Sequence, residues 1–202
     1  MKFMEMYKTL EAHRLFVFSF DELLLLYPNE TKENLRKLMY RWKRKGWVTS
    51  LKKGLYEIAY PRPVNVPDLF VANRMYQPSY VSLETALSHY SIIPEIAMAV
   101  TSITTKPTRT YKNSHGLFLY RTVKPEIFKG YSIEEIRGFP VLIAEPEKAF
   151  IDYLYFQNYR KKKFEPLNQR FDREKIKAFS RKKVTGYARL YHLDVGEIYV
   201  NL

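Results

Sequence analysis

The chain has no cysteine. Disulfides, thiol catalysis and cysteine-ligated zinc are therefore excluded. Histidine is scarce: His13, His89, His115 and His192 are scattered and never paired at metal-ligand spacing. No metal site and no cofactor is expected from that pattern. Long apolar runs are missing too. The stretch Leu23 to Tyr27 is five residues long, far short of a bilayer span. The opening residues Met1-Lys2-Phe3-Met4-Glu5 lack the apolar core of a secretory signal, and Glu5 and Glu11 do not suit a transit peptide. The expectation is a cytoplasmic protein.

Acid is in short supply as well. Against 34 Lys and Arg stand 21 Asp and Glu, for a net charge of +13 over 202 residues. The excess is uneven. Residues 1–61 carry +5, residues 62–144 +3 and residues 145–202 +5, so the two ends are the candidates for touching a polyanion. Pro61-Arg62-Pro63 and Pro67 interrupt regular structure, since proline lacks a donor and holds its predecessor extended. The expected organisation is a domain over 1–60, a linker over 61–67 and a second domain over 68–202.

The first segment patterns as three helices and a hairpin. Tyr7, Leu10 and the stem of Arg14 mark a short first helix, and Phe16-Val17-Phe18 an apolar connector. Ser19 with Glu22 forms a capping box ahead of Leu23, Leu24 and Leu26, which are expected to be buried. Pro28 and Asn29 turn the chain, and Thr31 or Asn29 caps a third helix. There Leu35, Leu38, Met39 and Trp42 recur at i, i+3, i+4 and i+7 as one apolar stripe. Glu33, Arg36, Lys37, Tyr40, Arg41 and Arg44 point the other way. Gly46 stops the helix. Trp47-Val48 and Leu55 to Ile58 read as strands, with Lys52-Lys53-Gly54 at the tip.

This block is unusually cationic. Residues 32–53 hold nine Lys or Arg and one acid, a local charge of +8. Helix, helix, turn, basic amphipathic helix, glycine and lysine-tipped hairpin is the order of a winged helix-turn-helix. A major groove about 12 Å wide admits one helix. The N-terminal residues of such a helix usually reach bases, which assigns Lys32, Glu33, Arg36 and Lys37 to sequence reading. Arg36 and Arg41 are placed to offer bidentate donors to guanine. Lys43, Arg44, Lys45, Lys52 and Lys53 are assigned to phosphates. Tyr40 serves either a phosphate or thymine methyl, or stacks on the hairpin. The plain alternative is a charged face that only stays wet.

The second segment patterns as mixed α/β. Helices are expected from Leu69 to Tyr76 with Asp68 as cap, from Glu84 to Tyr90 with Ser82 as cap, and from Glu145 to Phe156. Ala99 to Thr105, Arg109 to Tyr111, Leu117 to Val123 and Phe139 to Ile143 are rich in β-branched and aromatic residues and read as strands. Asn113 to Gly116 is a turn. Asp172 caps a helix through Phe179, and the remainder including Arg181-Lys182-Lys183 reads as helical. Glu145-Pro146-Glu147-Lys148 follows a strand as nuclease carboxylates do. Its glutamate and lysine are adjacent rather than spaced, so the two acids fit a helix N-terminus better. The run Arg160 to Lys163 reads as a solvated loop between helices, with contact to nucleic acid as the alternative.

Tyr80 to Leu87, Phe139 to Ile143, and Ala144-Glu145-Pro146-Glu147-Lys148-Ala149-Phe150-Ile151-Asp152, with Gly54-Leu55-Tyr56 closing the hairpin, together resemble the AbiE-type antitoxins. These are the antitoxin halves of type IV toxin–antitoxin pairs of phage abortive infection. The likeness covers residues 5–158 in matching order, and the tail after Tyr159 departs from it. It implies a winged helix that represses its own operon through inverted repeats in duplex DNA. It also implies a C-terminal domain that counters a nucleotidyltransferase-like toxin without requiring a stable complex. The helix from Glu147 to Asp152 would be structural. The expected fold class is α+β, the expected role a non-enzymatic autorepressor and antitoxin. A nucleic-acid-processing enzyme and an RNA-binding protein are the competing readings.

Overall fold

The computed structural model describes residues 2–61, 64–160, 170–194 and 196, with the side chains of 158–160 outside that set. The run Arg160 to Lys163 therefore lies outside the described side chains. The fold is α+β, and the chain divides into two compact units: residues 1–67 with 113–115, and residues 68–112 with 116–202.

The first unit runs α1 (Phe3–Ala12), β1 (Val17–Ser19), α2 (Phe20–Leu26), α3 (Lys32–Arg44), β2 (Val48–Lys52) and β3 (Leu55–Ile58). The stretch read as an apolar connector is in part a strand. Val17, Phe18 and Ser19 pair antiparallel with Glu57, Tyr56 and Leu55, which makes a three-stranded sheet in the order β1-β3-β2. Such pairing is invisible locally, because its partner lies some forty residues away. Ser19 caps α2 as its sequence demands: Glu22 N–H donates to Ser19 Oγ at 3.1 Å, and Glu22 Oε2 accepts from Ser19 N–H at 2.6 Å. Of the three leucines expected inside, Leu23 is buried while Leu24 and Leu26 are half-buried. A seven-residue helix has one inner line, and Leu23 holds it. Arg14 is exposed and lies beyond the end of α1.

The core of this unit gathers Phe3, Met6, Leu10, Phe18, Leu23, Leu35, Leu38, Met39, Trp42, Val48 and Ile58. All four stripe residues of α3 belong to it. Burying side chains of this size stabilises by about 1.5–3 kcal/mol each, so α3 is held by its apolar side.

The second unit contains α4 (Asp68–Met75), β4 (Ser79–Val81), α5 (Leu83–His89), β5 (Val100–Thr104), β6 (Arg109–Asn113), β7 (Gly116–Thr122), a 3-10 turn (Pro125–Ile127), β8 (Tyr131–Ile136), β9 (Phe139–Ala144), α6 (Pro146–Arg160), α7 (Arg173–Lys177) and α8 (Arg181–Leu190). Six strands form a mixed sheet in the order β6-β7-β5-β4-β9-β8. β5 runs parallel to β7 and β4 parallel to β9, while β4–β5 and β8–β9 are antiparallel. Asp68 is the first residue of α4 rather than a residue outside it. Asp172 does cap α7, accepting from Glu174 and Lys175 N–H. Ser82 occupies the cap position of α5, but its hydroxyl makes no capping bond. It donates to Asp152 Oδ2 at 2.8 Å, a charge-assisted bond to a buried carboxylate.

Candidate nucleic-acid interface

The α3 segment is fixed at both ends by its own sequence. Thr31, not Asn29, is the cap: its hydroxyl accepts from Asn34 N–H at 3.1 Å. At the other end Gly46 takes φ +69°, a left-handed conformation open to glycine. Gly46 N–H donates to Lys43 O at 3.0 Å and Trp47 N–H to Trp42 O at 2.9 Å. That bond pair is a Schellman stop, and it sends the chain directly into β2.

The β2–β3 hairpin turns at Lys53-Gly54. Lys52 faces Leu55, Ser50 faces Tyr56, and the register slips between them at Leu51, which is buried. The bulge bends the strand. Gly54 O accepts from Phe20 N–H at 2.9 Å, so the hairpin tip is tied to the start of α2.

With α3 anchored this way, Lys32, Glu33, Arg36, Lys37, Tyr40, Arg41, Lys43, Arg44 and Lys45 are all exposed. Lys53 is exposed at the tip, and Lys52 half-buried beside it. Glu33, Lys37, Tyr40 and Arg44 sit opposite the buried stripe at about 100° per residue. Arg36 and Arg41 flank them on either side, and Lys32 and Lys43 lie nearer the stripe on the Arg36 side. Three cations rest near rings. The Arg36 guanidinium is 5.7 Å from the Phe20 ring centre, that of Arg44 is 6.0 Å from Tyr40, and the Lys45 ammonium is 4.5 Å from Trp47. Such contacts restrict long side chains without removing their charge. What lies over Tyr40 is thus Arg44. Glu33 binds Lys37 at 2.6 Å, both well exposed. The face is therefore a dense row of donors with one acid set among them.

A second polar constellation lies in the other unit. Lys148 and Asp152, one turn apart on α6, have no solvent exposure. The Lys148 ammonium donates to Asp152 Oδ1 and, at 3.1 Å, to the Tyr191 hydroxyl. Tyr191 also donates to Asp152 Oδ1. Tyr80 and Ser82 donate to Oδ2 at 3.2 and 2.8 Å. Burial pushes the Lys148 ammonium down from its ordinary range, against the pull of Asp152. Burial, and next the Asp152 charge, push the Tyr80 and Tyr191 hydroxyls well up. All five side chains are enclosed or nearly so. The arrangement is a fastening between β4, α5, α6 and the end of α8.

The nuclease reading of Glu145 to Lys148 has no geometric support. Glu145 accepts from Tyr187 Oη at 2.8 Å and binds Lys183 at 3.0 Å. Glu147 accepts from Ser180 N–H at 3.0 Å, and Lys148 is buried. The three point to different partners. The i, i+4 spacing of Lys148 and Asp152 is that of a pair, and they do pair, but the spacing alone does not disclose their burial. The signal is present in Ala149, Phe150, Ile151, Tyr153 and Leu154, which make the helix apolar all round and therefore enclosed. No protein-family model and no curated protein matches the chain.

Proposed function

We propose that residues 1–60 are a winged helix-turn-helix that holds duplex DNA, with α3 in the major groove and the β2–β3 hairpin as the wing on the backbone. The observation that carries this is the division of α3. Leu35, Leu38, Met39 and Trp42 are buried, while every basic residue of the helix is exposed. A helix pinned by its greasy side and free on its cationic side is what groove insertion needs. The exposure of Lys53 at a tip tied to α2 through Gly54 supports the assignment of the hairpin lysines to phosphates.

The wider reading follows from the resemblance to the AbiE-type antitoxins. The chain acts as the autorepressor and antitoxin of a type IV toxin–antitoxin pair, binding inverted repeats in its own promoter and countering a nucleotidyltransferase-like toxin. A nuclease footprint on the DNA upstream of its own reading frame tests the first part. Protection of a repeat, and repression of a reporter placed behind it, are expected. A uniform footprint with no repression contradicts it. Co-expression with the adjacent reading frame tests the second part: growth arrest relieved by this chain supports it, and arrest unrelieved contradicts it.

A further inference from the structure

Helix α8 carries a second cationic face, separate from that of α3. One side of α8 is strapped down along its length. Ser180 N–H donates to Glu147 Oε1 at 3.0 Å, Lys183 and Tyr187 hold Glu145, and Val184 and Ala188 are buried. Tyr187 also packs on Gly130, where an added Cβ would lie 2.7 Å from its ring. Tyr191, the helix cap, enters the Lys148–Asp152 fastening.

The other side presents Arg181, Lys182, Thr185, Gly186 and Arg189. Arg181, Lys182, Thr185 and Arg189 are exposed, and Gly186 lies between them. Among the described residues no carboxylate pairs with Arg181, Lys182 or Arg189. Lys183, which faces Glu145, is the cation of this helix that is neutralised. Gly186 is unusual mid-helix, where glycine is unfavourable. Nothing lies within 4 Å of the position its Cβ would take, so no neighbour requires it. Its bareness leaves the backbone open to a close approach, with cations on either side.

The chemistry of the face selects its partner. It has no apolar side chain to enter an acyl layer, as a membrane-lying helix needs. It has no exposed aromatic to stack a free base and no aromatic anchor of the kind protein interfaces use. It offers exposed cations, a hydroxyl and bare backbone. From Arg181 to Arg189 the rise is about 12 Å, enough to meet two or three successive phosphates. We propose that this face of α8 grips the phosphodiester backbone of a duplex nucleic acid without reading bases. The inference stands on the second unit alone and does not require α3 to read DNA.

The test uses the full chain and fluorescence anisotropy over a salt series, with random-sequence duplex DNA and duplex RNA as probes. The variant is Arg181→Ala/Lys182→Ala/Arg189→Ala, made alone and with Arg36→Ala/Arg41→Ala. Alanine favours the helix, and Arg181→Lys/Arg189→Lys serves as the charge-keeping control. The triple variant is expected to weaken binding about tenfold and to lower the slope of log K against log salt by about 2 to 3. The control is expected to keep both. The probe that loses more affinity identifies DNA or RNA as the source of the phosphates. Unchanged affinity and slope on both probes would overturn the proposal. So would a loss seen only on phosphatidylserine vesicles. If the α8 changes alone abolish binding, the α3 reading fails and this one stands; the reverse result separates them the other way.

Discussion

Lys148 and Asp152 stand one turn apart on α6, both sealed from solvent, with the ammonium bonded to the carboxylate inside a ring of hydroxyls from Tyr80, Ser82 and Tyr191. Removing one partner of a buried pair leaves a charge with no compensation. Asp152→Ala is expected to cost about 3–5 kcal/mol. Lys148→Met is expected to cost less, because Asp152 keeps three hydroxyl donors. Denaturant unfolding, followed by amide exchange on α6, measures both. Equal losses would mean that the hydroxyls do not hold the carboxylate.

Glu145 gives the acid response of α8. Burial pushes its carboxyl up, but the hydrogen bonds from Tyr187 and Lys183 outweigh it and hold the group below its usual 4.5. A folded value below the unfolded one means the folded state binds fewer protons in acid. The contribution is therefore present above pH 4.5 and lost as pH falls through the folded value. It is small, since the pair is partly exposed. Amide protection on α8, corrected for the intrinsic exchange rate at each pH, is expected to fall below pH 4.5 in the wild type, and to depend less on pH in Glu145→Gln.

Trp42 separates charge from presentation. It is buried against Phe3, whose ring meets it edge-on at 5.4 Å. Trp42→Ala is expected to cost about 3–5 kcal/mol through the cavity it leaves. It keeps every cation of α3 yet should lose the part of duplex binding that residues 1–60 supply, together with their fold. Full binding by this variant would show that charge alone suffices.

Glu33 tests how α3 treats an acid on its outer face. It is exposed and pairs with Lys37 at 2.6 Å. Glu33→Gln releases Lys37 and removes a charge that repels phosphate. Affinity for random-sequence duplex is expected to rise about threefold, with a slightly steeper salt slope. Weaker binding to every duplex would mean that Glu33 positions Lys37 rather than restraining it.

Local rules make much of the first unit legible. The α3 stripe, the Ser19 capping box and the Gly46 stop each depend on residues within a turn or two, and each stands as patterned. What escapes is non-local. β1 is three residues long and exists through β3. β8 alternates poorly because it is an edge strand carrying Glu134 and Glu135, and β9 gives it register. Ser82 sits where a cap belongs, yet Asp152, seventy residues on, takes its hydroxyl. Lys148 and Asp152 show the same limit at the level of a site. Their spacing is that of a surface pair, and only Tyr80 and Tyr191, from distant segments, reveal them as interior.

If the outer face of α3 reads a duplex while the hairpin holds it, the two sets of cations must fail differently when removed. The salt dependence of binding to the upstream DNA and to random sequence shows this, for wild type, Arg36→Ala/Arg41→Ala and Lys52→Ala/Lys53→Ala. The arginine variant should lose about 1–3 kcal/mol of preference for each base it no longer reads. The lysine variant should weaken both duplexes alike and lower the salt slope by about 0.9 for each phosphate it no longer neutralises. Undiminished affinity, preference and slope in both variants would mean that neither α3 nor the hairpin touches the duplex.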